Sequence, residues 1–405
     1  MLARLATLAA LAATPLAAET DISDLIASAG LSGAEDSLSA TPDPSPSDRF
    51  ALGAVQFLRA VELAIQHRYD TRIDVPLGGA ARLPLIRLDV APNPDARPFA
   101  ADRTDAALDA VLAKLADSLD TLSAIEDADA VAVRVDTGAL WFDIDADGTR
   151  DAGEGVFEVA EQIFYEASAP DFKPPRIRFD TADAAWLTAY GHLVSGAVQM
   201  WLALDASDAI ERGVATAEGF AAFNAGGDLG WLGSWAPSID TAAIVARAFE
   251  GPIDAGRMAT AQDHFVQMTV QGQRFWRLAI AETDNDREWI PNANQQSALP
   301  RSVPAHSSLS WPIILSEAEA MLRGEVLVPH PRLPGGGGLN IARLLQQPPA
   351  VLDLTALIQG EQALPYYEAG DTVRIDSAVR FYMLMGGDIF ALRDQLRRVE
   401  MRLPL

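Results

Sequence analysis

The chain has no cysteine. Disulfides, a thiol nucleophile and lipid anchoring through a lipoprotein cysteine are therefore all excluded. Lysine is almost as scarce, occurring only at Lys114 and Lys173. Basic residues number 31 against 56 acidic ones, a formal charge of −25 over 405 residues. Such a surface repels nucleic acid and anionic lipid head groups and attracts cations, so no nucleic-acid partner is expected. The common hydrolase signatures are missing too. The five histidines, His67, His192, His264, His306 and His330, form neither HExxH nor an i, i+4 pair, so a zinc hydrolase has no support. There is no GxSxG elbow. Gly335 to Gly338 precede Leu339 without the lysine of a phosphate-binding loop.

At 49% hydrophobic residues the chain has ample material for a core. Its first residues, MLARLATLAALAATPLAAET, place Arg4 before an apolar run from Leu5 to Ala13, with small residues at Ala17 and Ala18. This is the layout of a secretory signal peptide over 1–18, which predicts a periplasmic or secreted protein. Leu31 to Asp48 (LSGAEDSLSATPDPSPSD) is rich in Ser, Pro and Asp without an apolar period, and a flexible linker is expected over 19–46. From 47 to 405 the pattern is mainly α, one large helical domain with a possible subdivision near the Pro-rich connector 169–179.

Helices are expected from Ser47 or Asp48 to His67, over Thr104 to Ile125, and from an Asp180–Asp183 cap to about Asp205. Further helices are expected at Thr241 to Phe249, Met258 to Glu282, Leu309 to Arg323, Leu339 to Gln346 and Ser377 to Leu396, and a strand at Leu83 to Val90. Ala184 to Leu204 carries no charge. Its flanks are acidic, however (Asp180, Asp183, Asp205, Asp208), and His192, Ser195 and Gln199 punctuate it. A buried helix fits better than a transmembrane span. Val131, Val133 and Val135 alternate ahead of Asp136-Thr137-Gly138. The pattern predicts a small β-hairpin whose second strand, Ala139 to Asp143, leads into an acidic loop.

That loop reads WFDIDADGTRDAGEGVF, Trp141 to Phe157. Counting Asp143 as position 1, Asp145 is 3, Asp147 is 5, Gly148 is 6, Asp151 is 9 and Glu154 is 12. Alternate residues of a tight loop can aim their side chains at one point, and a hard cation needs six to eight oxygens at about 2.3–2.6 Å. The twelve residues resemble the calcium loop of the EF-hand family at every ligand position. The resemblance implies Ca2+ as cofactor, held by Asp143, Asp145, Asp147, the Thr149 carbonyl, Asp151 and Glu154. Arg150 stands where the family has an aliphatic residue, and the incoming segment reads as a strand rather than a helix. Both departures point to a structural site rather than a sensor.

A second acidic run, Glu282 to Trp289 (ETDNDREW), follows a long helix. It reads either as a helix end with Arg287 paired locally or as a carboxylate pair of the kind glycosidases use. Trp231 and Trp235 lie in a Gly-rich loop, where they would either stack on a sugar or plug a helical core. The expected function is an exported calcium-binding protein of the cell envelope, a binding or interaction protein rather than an enzyme, with the choice between a protein and a saccharide partner left open. The alternative is a periplasmic carbohydrate-active hydrolase or lyase using Asp284 to Glu288 and the loop tryptophans.

Overall fold

The computed structural model describes residues 19–72, 90–159, 172–221, 236–299, 307–329 and 336–374. The expected signal peptide (1–18), positions 83–89 of the expected strand, Trp231, Trp235, His306, His330 and the helix expected from Ser377 lie outside the described residues. The described chain is mainly α. In order it forms β1 (Thr20–Asp21), α1 (Ser23–Ser39), α2 (Pro46–Asp70), β2 (Thr71–Arg72), β3 (Arg97–Pro98), α3 (Ala101–Ser123), β4 (Val133–Asp136) and α4 (Val156–Val159). Then come β5 (Arg176–Phe179), α5 (Thr181–Ala203), α6 (Ala206–Ala221), α7 (Ala236–Glu250), α8 (Ala255–Ala281) and α9 (Ser307–Leu322). The last elements are β6 (Gly337–Leu339), α10 (Ile341–Gln346), α11 (Leu354–Gln359) and β7 (Tyr367–Ala369).

The expected long helices form, with starts set by local chemistry. α2 begins slightly before Ser47 because Pro46 has its φ already fixed for the first helical position. Ser45 caps it by accepting from the Asp48 N–H, and Asp48 answers by accepting from the Ser45 N–H. α5 starts with the same reciprocal arrangement between Asp180 and Asp183. Among the described residues no helix is long and apolar enough to cross a membrane. α5 instead packs antiparallel to α8, and Gly196 lets the helices approach: a Cβ there would stand 2.7 Å from the Phe265 ring. One core joins α1, α2, α3 and β4, built on Ile26, Leu31, Phe50, Val55, Leu115, Leu122 and Val133. A second fills the α5–α8–α9 contact around Ala185, Phe275, Trp276 and Leu315, and Trp186 packs against both. Each such Ile, Leu or Phe, fully buried, stabilises the fold by about 1.5–3 kcal/mol.

Two expectations are corrected. The segment 19–46 is not a flexible linker: 23–39 is α1, and Ile26, Leu31 and Ala34 are fully buried in the main core. Its apolar period is interrupted because α1 kinks at Gly30 (φ 65°, ψ −178°), which shifts the face presented to the core. The hairpin is also corrected. The Asp136 carboxylate accepts the Gly138 N–H at 3.0 Å and turns 137–139 into a single 3-10 turn, which carries Ala139–Asp143 away from β4. The antiparallel partner of β4 is β5, with Val135 opposite Ile177, while β1 pairs parallel on its other edge. Val133, Val135 and Ile177 are all buried, so the connector near 169–179 supplies a strand to this sheet. Gly337–Leu339 is likewise strand β6, paired with β7.

Candidate metal centre

The acidic loop is anchored at both ends. Trp141 and Gly155 form an antiparallel bridge; Phe142 N–H donates to the Glu154 carbonyl (2.9 Å) and Val156 N–H to the Leu140 carbonyl (3.1 Å). Trp141, Phe142 and Ile144 point into the main core. The Trp141 Nε1–H donates to the Ile26 carbonyl at 2.9 Å, and its ring covers Gly30 of α1. Apolar residues thus alternate with the acids: Trp141, Phe142 and Ile144 hold the loop down, Asp143 is half-buried, and Asp145 and Asp147 are exposed.

Between these anchors the backbone curls around its own carboxylates. Asp145 accepts the Asp147 N–H (3.2 Å) and Asp143 accepts the Gly148 N–H (3.1 Å). Asp147 accepts both the amide and the hydroxyl of Thr149, at 2.7 and 2.6 Å. Those Thr149 bonds hold the Asp147 carboxyl below the usual range. Ala146 and Gly148 have left-handed φ values of 61° and 78°, which closes the turn. As a result Asp143, Asp145 and Asp147 each bring a carboxylate oxygen within 4.8 Å of the others. Asp143 Oδ1 is buried and accepts no hydrogen bond. Glu154 is 4% exposed and lies outside this trio. Its Oε1 accepts the Ile144 N–H (2.8 Å) and its Oε2 the Asp151 N–H (2.7 Å). Burial raises the Glu154 pKa, with Asp145 and Asp143 adding repulsion. Asp151 is exposed, and Arg150 reaches the Gly138 carbonyl at 3.4 Å.

A second group of acids meets where α5 begins and α8 ends. Asp180, Glu282 and Glu288 bring carboxylate oxygens within 4.8 Å of one another, and Asp183 joins them through the α5 cap. Antiparallel packing of α5 on α8 is what brings these distant stretches of chain together. Burial raises all four pKa values. Glu282 goes up to about 8, with Asp180 as its next cause, and Asp183 is raised well above its ordinary value by burial, with Asp180 adding repulsion. Gln295 donates to Glu282 at 3.2 Å. The nearby cation is Arg178, 3.8 Å from Asp284 and 3.9 Å from Asp286, while Arg287 contributes its carbonyl to the Arg178 N–H. Glu282 and Glu288 are visible in the acidic run. Asp180 and Asp183 read only as a helix cap, and no sequence signal places them beside it.

The described histidines, His67, His192 and His264, are taken up by helix packing. His192 and His264 share an Nδ1···Nδ1 hydrogen bond of 2.9 Å between α5 and α8, and His67 pairs with the Thr104 hydroxyl at 3.1 Å. Ser307, Ser308 and Ser310 are buried on α9. A groove of about 640 Å³ between α8 and α9 is lined by Asp127, Gln273, Arg274, Arg277, Pro312 and Glu319 among others, and by none of the four clustered acids. No family model, curated protein or solved structure matches the chain.

Proposed function

We propose that the protein is an exported calcium-binding protein of the cell envelope, with one structural Ca2+ in the loop from Asp143 to Glu154. One observation carries this reading: three carboxylates converge, and a buried oxygen of the first, Asp143 Oδ1, has no hydrogen-bond partner. Three negative charges at that spacing repel, and a buried acceptor left unmade costs about 1–3 kcal/mol. A hard divalent cation removes both penalties with one set of contacts. Asp143, Asp145 and Asp147 would supply the charged oxygens. The Thr149 carbonyl, Asp151 and Glu154 would complete the shell in the order the EF-hand resemblance implies. Loop ends fixed in the core suit a structural clamp, and export would place the loop where calcium is abundant. The export reading comes from the N-terminal sequence alone.

Calorimetry of CaCl2 into the full chain tests the reading. We expect one site with a Kd of about 10⁻⁴ to 10⁻³ M, the range of extracellular calcium modules. About 10 mM Ca2+ then stabilises the fold by roughly 1.4–2.7 kcal/mol. The Asp143→Ala, Glu154→Ala double variant should lose both the heat and the stabilisation. A wild type that shows neither would sink the proposal.

A carbohydrate-active hydrolase or lyase is the second reading, and one observation favours it. Glu282, with its pKa near 8, is protonated at neutral pH beside Asp180 and Glu288, as a general acid must be. Release of reducing ends from a polysaccharide panel, lost on Glu282→Gln, would establish it. No release from any substrate would end it.

A further inference from the structure

The first ligand of the loop is held from outside the loop. Glu62 and Gln66 lie one turn apart on α2, so their side chains share a face. Glu62 Oε2 accepts the Asp143 N–H at 3.0 Å, and Gln66 Nε2 donates to the Asp143 carbonyl at 2.7 Å. Both backbone polar groups of Asp143 are thus bonded to one helix. Glu62 has no exposed surface, and its other oxygen accepts from Arg59.

The contacts continue into α1 and α3. Arg59 Nε lies 3.8 Å from Glu35 on α1. Glu35 in turn takes the Lys114 ammonium of α3 at 2.8 Å. Trp141, two residues before the loop's first acid, independently contacts α1 at Ile26 and Gly30. α1 is therefore tied to the loop by an apolar route through Trp141 and a polar one through Glu62, Arg59 and Glu35.

We propose that cation binding at the loop and seating of α1 are thermodynamically coupled, with Glu62 as the positioning residue between them. The inference rests on the calcium reading above. A bound cation fixes the Asp143 backbone, so the Asp143 N–H stays on Glu62. Glu62 then holds Arg59 in place to meet Glu35. Linkage makes the effect reciprocal: loosening α1 weakens the cation site by the same factor by which the cation tightens α1. Among the described residues no α-helix leads into the loop at Asp143, and α2 is the rigid support on that side.

Calcium titrations on the full chain, compared across Glu62→Gln, Gln66→Leu and Glu35→Gln, test the coupling. Partners behind a metal ligand commonly set affinity by about 10–100-fold, and Glu62→Gln should weaken Ca2+ by that factor. Glu35→Gln touches no atom of the loop, so the about 5-fold loss we expect there reports the coupling directly. The gap in melting temperature with and without Ca2+ should narrow in each variant, which a merely structural role would not produce. Amide exchange across 23–39 should slow on adding Ca2+ to the wild type. If Glu62→Gln does not fold, Gln66→Leu retains the test, because it removes only the bond to the Asp143 carbonyl. A wild type that binds Ca2+, with Glu35→Gln binding it equally well and exchange in α1 unmoved, overturns the coupling alone. A wild type that binds no Ca2+ overturns the site and the coupling together.

Discussion

Replacing Glu282 by Gln should stabilise this protein at alkaline pH and leave it unchanged at acid pH. The folded state holds the Glu282 pKa near 8, against 4.5 for the free side chain. Between those values the native state binds more protons than the unfolded one, so stability falls as pH rises through the window. The four acids titrate as a set, and the fall belongs to the cluster as much as to Glu282. At 4.8 Å, the outer limit of the spacing among Asp180, Glu282 and Glu288, two ionised carboxylates repel by about 3.5 kcal/mol at an effective dielectric of 20 and about 0.9 kcal/mol in water. Glu282 is half-buried, so solvent screening puts the effect toward the lower figure. We expect Glu282→Gln to gain about 1–2 kcal/mol at pH 9 and about zero at pH 5. Urea unfolding can be followed by tryptophan fluorescence, because Trp289 lies next to Glu288 and packs against Trp186. A variant destabilised equally at both pH values would refute the reasoning. Glu282 would then be ionised and required, as it would be if it paired with a cation in that cluster.

Three further outcomes follow from local geometry. Gly30→Ala should cost about 1–3 kcal/mol, because φ 65° with ψ −178° is a conformation reserved almost wholly for glycine. A Cβ there also meets the Trp141 ring at 3.0 Å, so thermal melting should fall by several degrees. Ser45→Ala removes the α2 cap and should cost about 1 kcal/mol by chemical denaturation. Burial drives the His192 pKa down to about 4, with His264 contributing, and burial lowers His264 as well. The unfolded chain therefore binds more protons between about pH 4 and 6.5, and stability should drop as pH falls through that window. His192→Asn should flatten the drop, and an unchanged pH profile in that variant would show that the pair does not titrate there.

Much of this was legible from local pattern. α2, α3, α5, α8 and α9 follow apolar residues at helical spacing, with capping chemistry fixing the starts of α2 and α5. The loop acids sit within twelve consecutive residues, and three of them at alternate positions, Asp143, Asp145 and Asp147, come together. Where the reading failed, the missing information was non-local. α1 was hidden because its kink at Gly30 breaks the period that would have revealed its buried face. β4 was recognisable as a strand, but its register with β5 pairs residues about forty positions apart, and alternation marks a strand without naming its neighbour.

The amino-acid sequence by itself determined a cysteine-free, strongly acidic, mainly helical chain and the spacing of the acids in one loop. Composition and short-range periodicity act within a few turns, and those properties need nothing more. Tertiary structure alone decided that Glu62 and Gln66 of α2 hold Asp143, and that Asp180 and Asp183 meet Glu282 and Glu288. Such meetings arise when α2 packs under the loop and when α5 and α8 pack antiparallel, burying their apolar faces together. No spacing along the chain encodes which polar ends that burial brings into contact.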